Sequence, residues 1–109
     1  MILMICHSIR GSLTTQEKIE FIATHYGIEN QFTIAIEEMA ELTKEICKSN
    51  RENSNPLELN LHLLGELADV EIMVKQLRFL LPNNDLLDEI IKRKLDRQLE
   101  RIASEEENV

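Results

Sequence analysis

Five acids stand in two apolar frames. Glu37, Glu38 and Glu41 form E-E-x-x-E inside the run IEEMAEL, and after 24 further residues Glu66 and Asp69 form E-x-x-D inside GELADVEIMV. Acids at i and i+3 leave a helix from one side on successive turns. Two such helices packed antiparallel, about 8–10 Å apart, converge four carboxylates, those of Glu38, Glu41, Glu66 and Asp69, on one small space. A buried carboxylate without a partner is costly, so either Lys and Arg side chains or a cation must neutralise such a group. An all-oxygen donor set suits a hard cation such as Mg²⁺, with Mn²⁺ as a substitute. A di-iron carboxylate centre would need Glu-x-x-His pairs. None of His7, His25 and His62 follows a Glu at that spacing.

Helices must carry these acids, and the sequence marks four of them. The first spans TTQEKIEFIATHYG, with Thr14 and Glu17 spaced as a capping box and Gly27 at its C-terminal end. The second covers residues 30 to 49, capped by Asn30 and ended by the polar string KSNRENSN. The third has Asn55 as cap and Pro56 at its first position, and stops before Pro82. The fourth, DLLDEIIKRKLDRQLERIA, is capped by Asn84. Short connections between four helices imply an all-α, antiparallel four-helix bundle. Residues 1–12 form an apolar N-terminal arm of open structure, 13–104 one helical domain, and 105–109 a polar tail expected to fray.

The second helix sorts at 100° per residue into two sides. Phe32, Ile36, Met39, Ala40, Thr43, Ile46 and Cys47 make an apolar side, expected to face the core. Glu37, Glu38, Glu41 and Glu45 make an acidic one, which taken alone is an ordinary solvated stripe. The third helix is apolar in nearly every direction and reads as buried by its neighbours. It keeps two polar strips roughly 160–180° apart. Asn60, Glu71, Lys75 and Arg78 look like a solvent side. Glu58, His62, Glu66, Asp69 and Gln76 must then face a partner helix, a cleft or a ligand.

Bulk properties narrow the function classes. A chain of 109 residues implies one domain with a small core. A net charge of −8 argues against a groove-binding nucleic-acid protein. It leaves anionic substrates open, because a divalent cation reverses the local sign. Cys6 and Cys47 have no metal-site spacing and fit a reducing cytoplasm. No stretch approaches the roughly 20 apolar residues of a membrane span.

In IEEMAEL (36–42), GELADVEIMV (65–74) and KRKLDR (92–97) the chain resembles the MazG-like family of all-α nucleoside triphosphate pyrophosphohydrolases. The likeness covers residues 17 to 102. It implies a Mg²⁺-dependent enzyme that splits a (d)NTP between its α and β phosphates, giving NMP and pyrophosphate. Carried over by position, Glu38, Glu41, Glu66 and Asp69 hold the metal, and Glu37 and Glu38 are the candidate catalytic residues. Glu37 either orients or deprotonates the attacking water or stands outside the ligand set. Lys94 and Arg97, with Arg101 on the same side of the fourth helix, are candidate phosphate contacts. Charge compensation and the helix macrodipole are the plainer reading of these cations. Asp96 stands where the family often has an Asn, a departure that bears on those contacts. Gln31, six residues before the first of these acids, is the candidate base or sugar contact, and Phe32 and Phe79 are assigned to the core. The apolar third helix, with the family's habit of dimers and tetramers, implies a homo-oligomer. The competing reading is a non-catalytic acidic helical module that binds a basic protein.

Overall fold

The computed structural model describes residues 10–52 and 55–108. All regular structure among them is helical, in three helices: α1 (Thr15–Arg51), α2 (Leu61–Leu80) and α3 (Asn84–Glu107). α1 is two helical segments joined at Gly27, so four helical stretches stand where the sequence marks four. No helix among these residues is long and apolar enough to cross a membrane. Cys47 is an exposed free thiol. Residues 1–9 of the expected N-terminal arm lie outside the described part.

Local chemistry explains each start, and corrects three of the expected caps. Thr14 does form the capping box: its hydroxyl accepts from the Glu17 amide at 3.1 Å, and the Glu17 carboxylate accepts from the Thr14 amide at 3.0 Å. Gly27 takes φ 79°, ψ 166°, outside the range open to other residues. It bends the chain without ending it. Asn30 is therefore inside the helix rather than its cap, and its side-chain amide donates to the Tyr26 carbonyl at 2.8 Å across the bend. Asn55 closes a local turn instead of capping α2. Its Oδ1 accepts from the Leu57 amide at 3.0 Å, and its carbonyl accepts from Glu58. Such Asx turns compete with helix, and the true cap is Asn60, whose Oδ1 accepts from the Leu63 amide at 3.1 Å. Asn83, at φ 69°, precedes α3 without a side-chain capping bond, and Asn84 is the helix's first residue. α3 remains helical through Glu107, so residues 105–107, expected to fray, belong to it.

α1 and α2 run antiparallel and pack together. Asn60 at the start of α2 donates to Ser49 Oγ near the end of α1 at 3.4 Å, while Glu38 meets Glu66 and Asp69 further along. The buried set is short: Ile19, Ala23, Ala35 and Met73, with Gln31 and Gln76 among them. α3 adds no buried residue. Within one chain the bundle is thus a packed pair with a third helix leading away, not four helices closed around a centre. The radius of gyration is 18.5 Å, against about 13 Å for a compact chain of this length.

The side of α1 turned to α2 is also not the one its apolar pattern implies. Phe32, Ile36 and Met39 are 48%, 67% and 49% exposed, and Phe79 is 42% exposed. Neither phenylalanine is in the core. The inner edge carries Gln31, Ala35 and Glu38 instead, and α2 answers with Glu66, Asp69, Met73 and Gln76. The polar strip of α2 therefore faces a partner helix, while most of the apolar surface of both helices looks outward.

Candidate metal centre

Glu38, Glu66 and Asp69 each offer a carboxylate oxygen, and the three oxygens lie within 4.8 Å of one another. The two α2 acids are one turn apart, and Glu38 reaches them from the facing helix. Glu38 and Glu66 are half-buried and Asp69 is exposed, so the cluster sits at the mouth of the helix pair rather than in its interior. Burial, then the charges of Asp69 and Glu66, a hydrogen bond to Asp69 and the charge of Glu37 push the Glu38 carboxyl above its ordinary value. Among the described residues the only ion pair is Arg78–Asp88, far along α2 from the cluster. Neutralisation by Lys or Arg, the plain alternative, is not how these three acids are balanced in this structure.

Three convergent carboxylates from two rigid helices fit a hard divalent cation in donor type and count. Glu38, Glu66 and Asp69 would hold it. The remaining sequence candidates divide around them. Glu41 is exposed, and its oxygens are not in the group. Glu37 is exposed beside Glu38 and acts on it through charge. Gln31 is not placed to touch a ligand: it is 1% exposed between the helices, and its Oε1 has no hydrogen-bond partner. Lys94 and Arg97 are exposed on α3, which does not pack against the acids of its own chain.

Two features were not read from the sequence. A cavity of about 520 Å³ opens at the loop end of the pair, lined among others by Glu45, Lys48, Asn60 and His62. His62 stands one turn before Glu66 on the same strip, while Glu38, Glu66 and Asp69 themselves do not line the cavity. The other is a clamp at the α2–α3 junction. Arg78 pairs with Asp88 and donates through Nε to Asn84 Oδ1 at 3.4 Å. Asn84 donates to the Arg78 carbonyl at 2.6 Å and to the Leu81 carbonyl at 3.4 Å. The spacing of Arg78, Asn84 and Asp88 across Pro82 was the available signal.

No protein-family model matches this chain, and no curated protein or solved structure matches it either. The likeness to MazG-like enzymes rests on the quoted sequence motifs alone.

Proposed function

We propose that this protein is a Mg²⁺-dependent nucleoside triphosphate pyrophosphohydrolase of MazG-like type, which cleaves a (d)NTP to NMP and pyrophosphate. One observation carries the reading: the E-x-x-D pair of α2 and Glu38 of the E-E-x-x-E motif place three oxygens within 4.8 Å, and among the described residues no Lys or Arg forms an ion pair with them. Bound Mg²⁺ would supply positive charge for the phosphate oxygens and acidify a water. Glu38, Glu66 and Asp69 fix where that charge sits. Glu37, next to Glu38 but outside the trio, is the group available to orient the attacking water or take its proton. The cavity beyond His62 falls in the size range of small-molecule sites and gives the nucleoside room. That moves the base or sugar contact from the buried Gln31 to the side of Asn60 and His62. The protein would work as a homo-oligomer on cytoplasmic nucleotide pools.

The test is a panel of NTPs and dNTPs scored for pyrophosphate release with and without Mg²⁺. Release from at least one nucleotide, lost on chelation, is the expected result. The competing reading, an acidic module for a basic protein, gains no thermal stability from Mg²⁺ or Mn²⁺ with any nucleotide. A melting temperature indifferent to every combination, with no release, would overturn the enzyme.

A further inference from the structure

The cavity at the loop end of the α1–α2 pair has walls of two kinds. Pro56, Leu59, Leu61 and Leu63 give it apolar surface. Leu59 and Leu61 are 78% and 72% exposed, so the chain itself leaves that surface uncovered. Glu45, Glu52 and Glu58 make the polar side, against one ammonium, that of Lys48. These three acids are not a second metal cage. Among the described residues, Glu38, Glu66 and Asp69 are the one set of acids whose oxygens converge closely enough for an ion. The cavity acids are spread around the wall, and among the described residues none of them is in an ion pair.

The hydrogen-bonding inventory of this wall is lopsided. An ionised carboxylate accepts and cannot donate. The asparagines are largely engaged already. Asn60 donates to Ser49 Oγ and accepts from the Leu63 amide, and Asn55 Oδ1 accepts from the Leu57 amide. A ligand therefore meets mostly acceptors, with Lys48 and His62 as the chief donors. Such a wall suits a flat apolar ring that carries N–H groups on its edge. It repels phosphate, so a triphosphate held at the acid cluster turns its base this way. The step is short: His62 precedes Glu66 by four residues, about 6 Å along the helix axis.

Bases differ in what their edges offer. Cytosine and adenine each present one exocyclic amino group. Guanine presents an amino group beside a ring N–H, two parallel donors that one carboxylate can take as a fork. Uracil and thymine present a ring N–H between two carbonyl oxygens, and those oxygens would meet carboxylates acceptor to acceptor.

We propose that this cavity selects nucleotides by the amino groups of the base: guanine first, cytosine and adenine next, uracil and thymine last. The choice of nucleotides as ligands rests on the pyrophosphohydrolase reading above. Glu45 is the reader, because it alone of the three acids is half-buried and so best held in place.

Monophosphates separate base selection from catalysis. GMP and UMP share sugar and phosphate, so a difference between them belongs to the base. Each is titrated into metal-free natural protein while the amide NMR signals of Glu45, Lys48, Asn60 and His62 are followed. GMP should shift these signals with a dissociation constant at least about 10-fold below that of UMP, the size of one hydrogen bond to a charged group. Glu45→Gln, which keeps the shape and adds a donor, should bring the ratio close to one while signals outside the cavity stay in place. Binding of UMP as tight as that of GMP, no binding of either, shifts confined to other parts of the chain, or a ratio unchanged in Glu45→Gln would each overturn the selection. If GMP is preferred but no triphosphate releases pyrophosphate, the base site stands and the enzymatic reading fails. If release occurs with no order among the bases, the enzyme stands and the selection fails.

Discussion

In the α1–α2 pair, polar side chains share the inward face with a few apolar ones, and much of the apolar surface is turned outward. Gln31, Glu38, Glu66 and Gln76 line the contact, while Ile36 and Met39 face away. In α3 nothing is turned inward, and its apolar stripe and basic edge are equally open. The two regions fail in opposite ways as isolated objects. The pair concentrates negative charge that its own core cannot neutralise. The helix carries positive charge and greasy surface with nothing to set them against. Within one chain the two regions leave different needs unmet: the acids of the pair lack a balancing charge, and the apolar stripe of α3 lacks a covering surface.

The largest effect should come from breaking the pair's side of the comparison. Glu38→Ala or Asp69→Asn is expected to lower Mg²⁺-dependent pyrophosphate release by at least about 100-fold, since ligand loss exceeds the effect of losing a supporting residue. The same changes remove like-charge repulsion, so the metal-free melting temperature should hold or rise. If release persists in both variants, the three acids are not the metal site. On the other side, Lys94→Ala with Arg97→Ala should raise KM by about 10-fold or more through lost charge-assisted bonds. Steady-state kinetics at saturating Mg²⁺ reads this. An unchanged KM would leave these cations to helix charge balance.

How far the sequence could be read divides along the same line. The helices, the capping box and the facing strip Glu66, Asp69, Gln76 were legible because period and cap chemistry are local. The orientation of α1 was not. Its strongest apolar stripe, around Ile36, points inward by pattern alone, since a single chain has only one inside. The wheel cannot say whether a greasy face meets its own chain or another. The caps at Asn55 and Asn84 were misplaced for a smaller reason: an asparagine that bonds its own turn looks, in sequence, like one that caps a helix. Within the site, three acids were legible together and Glu41 was not separable from them, because one turn along a helix decides which oxygen converges.

The bend at Gly27 gives the next effect. A Cβ there would meet nothing within 4 Å, so the cost of Gly27→Ala is backbone strain alone, about 1–3 kcal/mol, read by urea unfolding. A smaller loss would mean the bend relaxes into straight helix.

The acid cluster also has a pH signature. The Glu38 carboxyl is raised, so the native state holds its proton over a window where the unfolded chain has lost it. Native protein then binds more protons, and stability falls as pH rises through that window. Metal-free protein should melt higher at about pH 5 than at about pH 7, and added Mg²⁺ should close the gap by stabilising mainly at the upper pH. Glu17 works the other way. Its hydrogen bonds to Thr14 lower it, so its contribution is present above its unfolded value and fades only as pH falls through its native one. A metal-free curve that rises steadily from pH 5 to pH 7 would contradict the raised Glu38.

The smallest effect is also the sharpest comparison between an inward and an outward polar group. Gln31 is 1% exposed, and its Oε1 accepts no hydrogen bond; every polar residue of α3 is exposed. Removing a buried acceptor that has no partner returns its desolvation cost, about 1–3 kcal/mol. Gln31→Met keeps length and flexibility while deleting the acceptor. The donor half of the amide is lost as well, so the net change should lie between zero and a gain of about 1 kcal/mol. Urea midpoints measure it. A loss above that size would mean Oε1 is paired in solution, most simply by a water held between the helices. The inward polarity of the pair would then be a bonded layer that fixes register, with the three clustered acids as its open end.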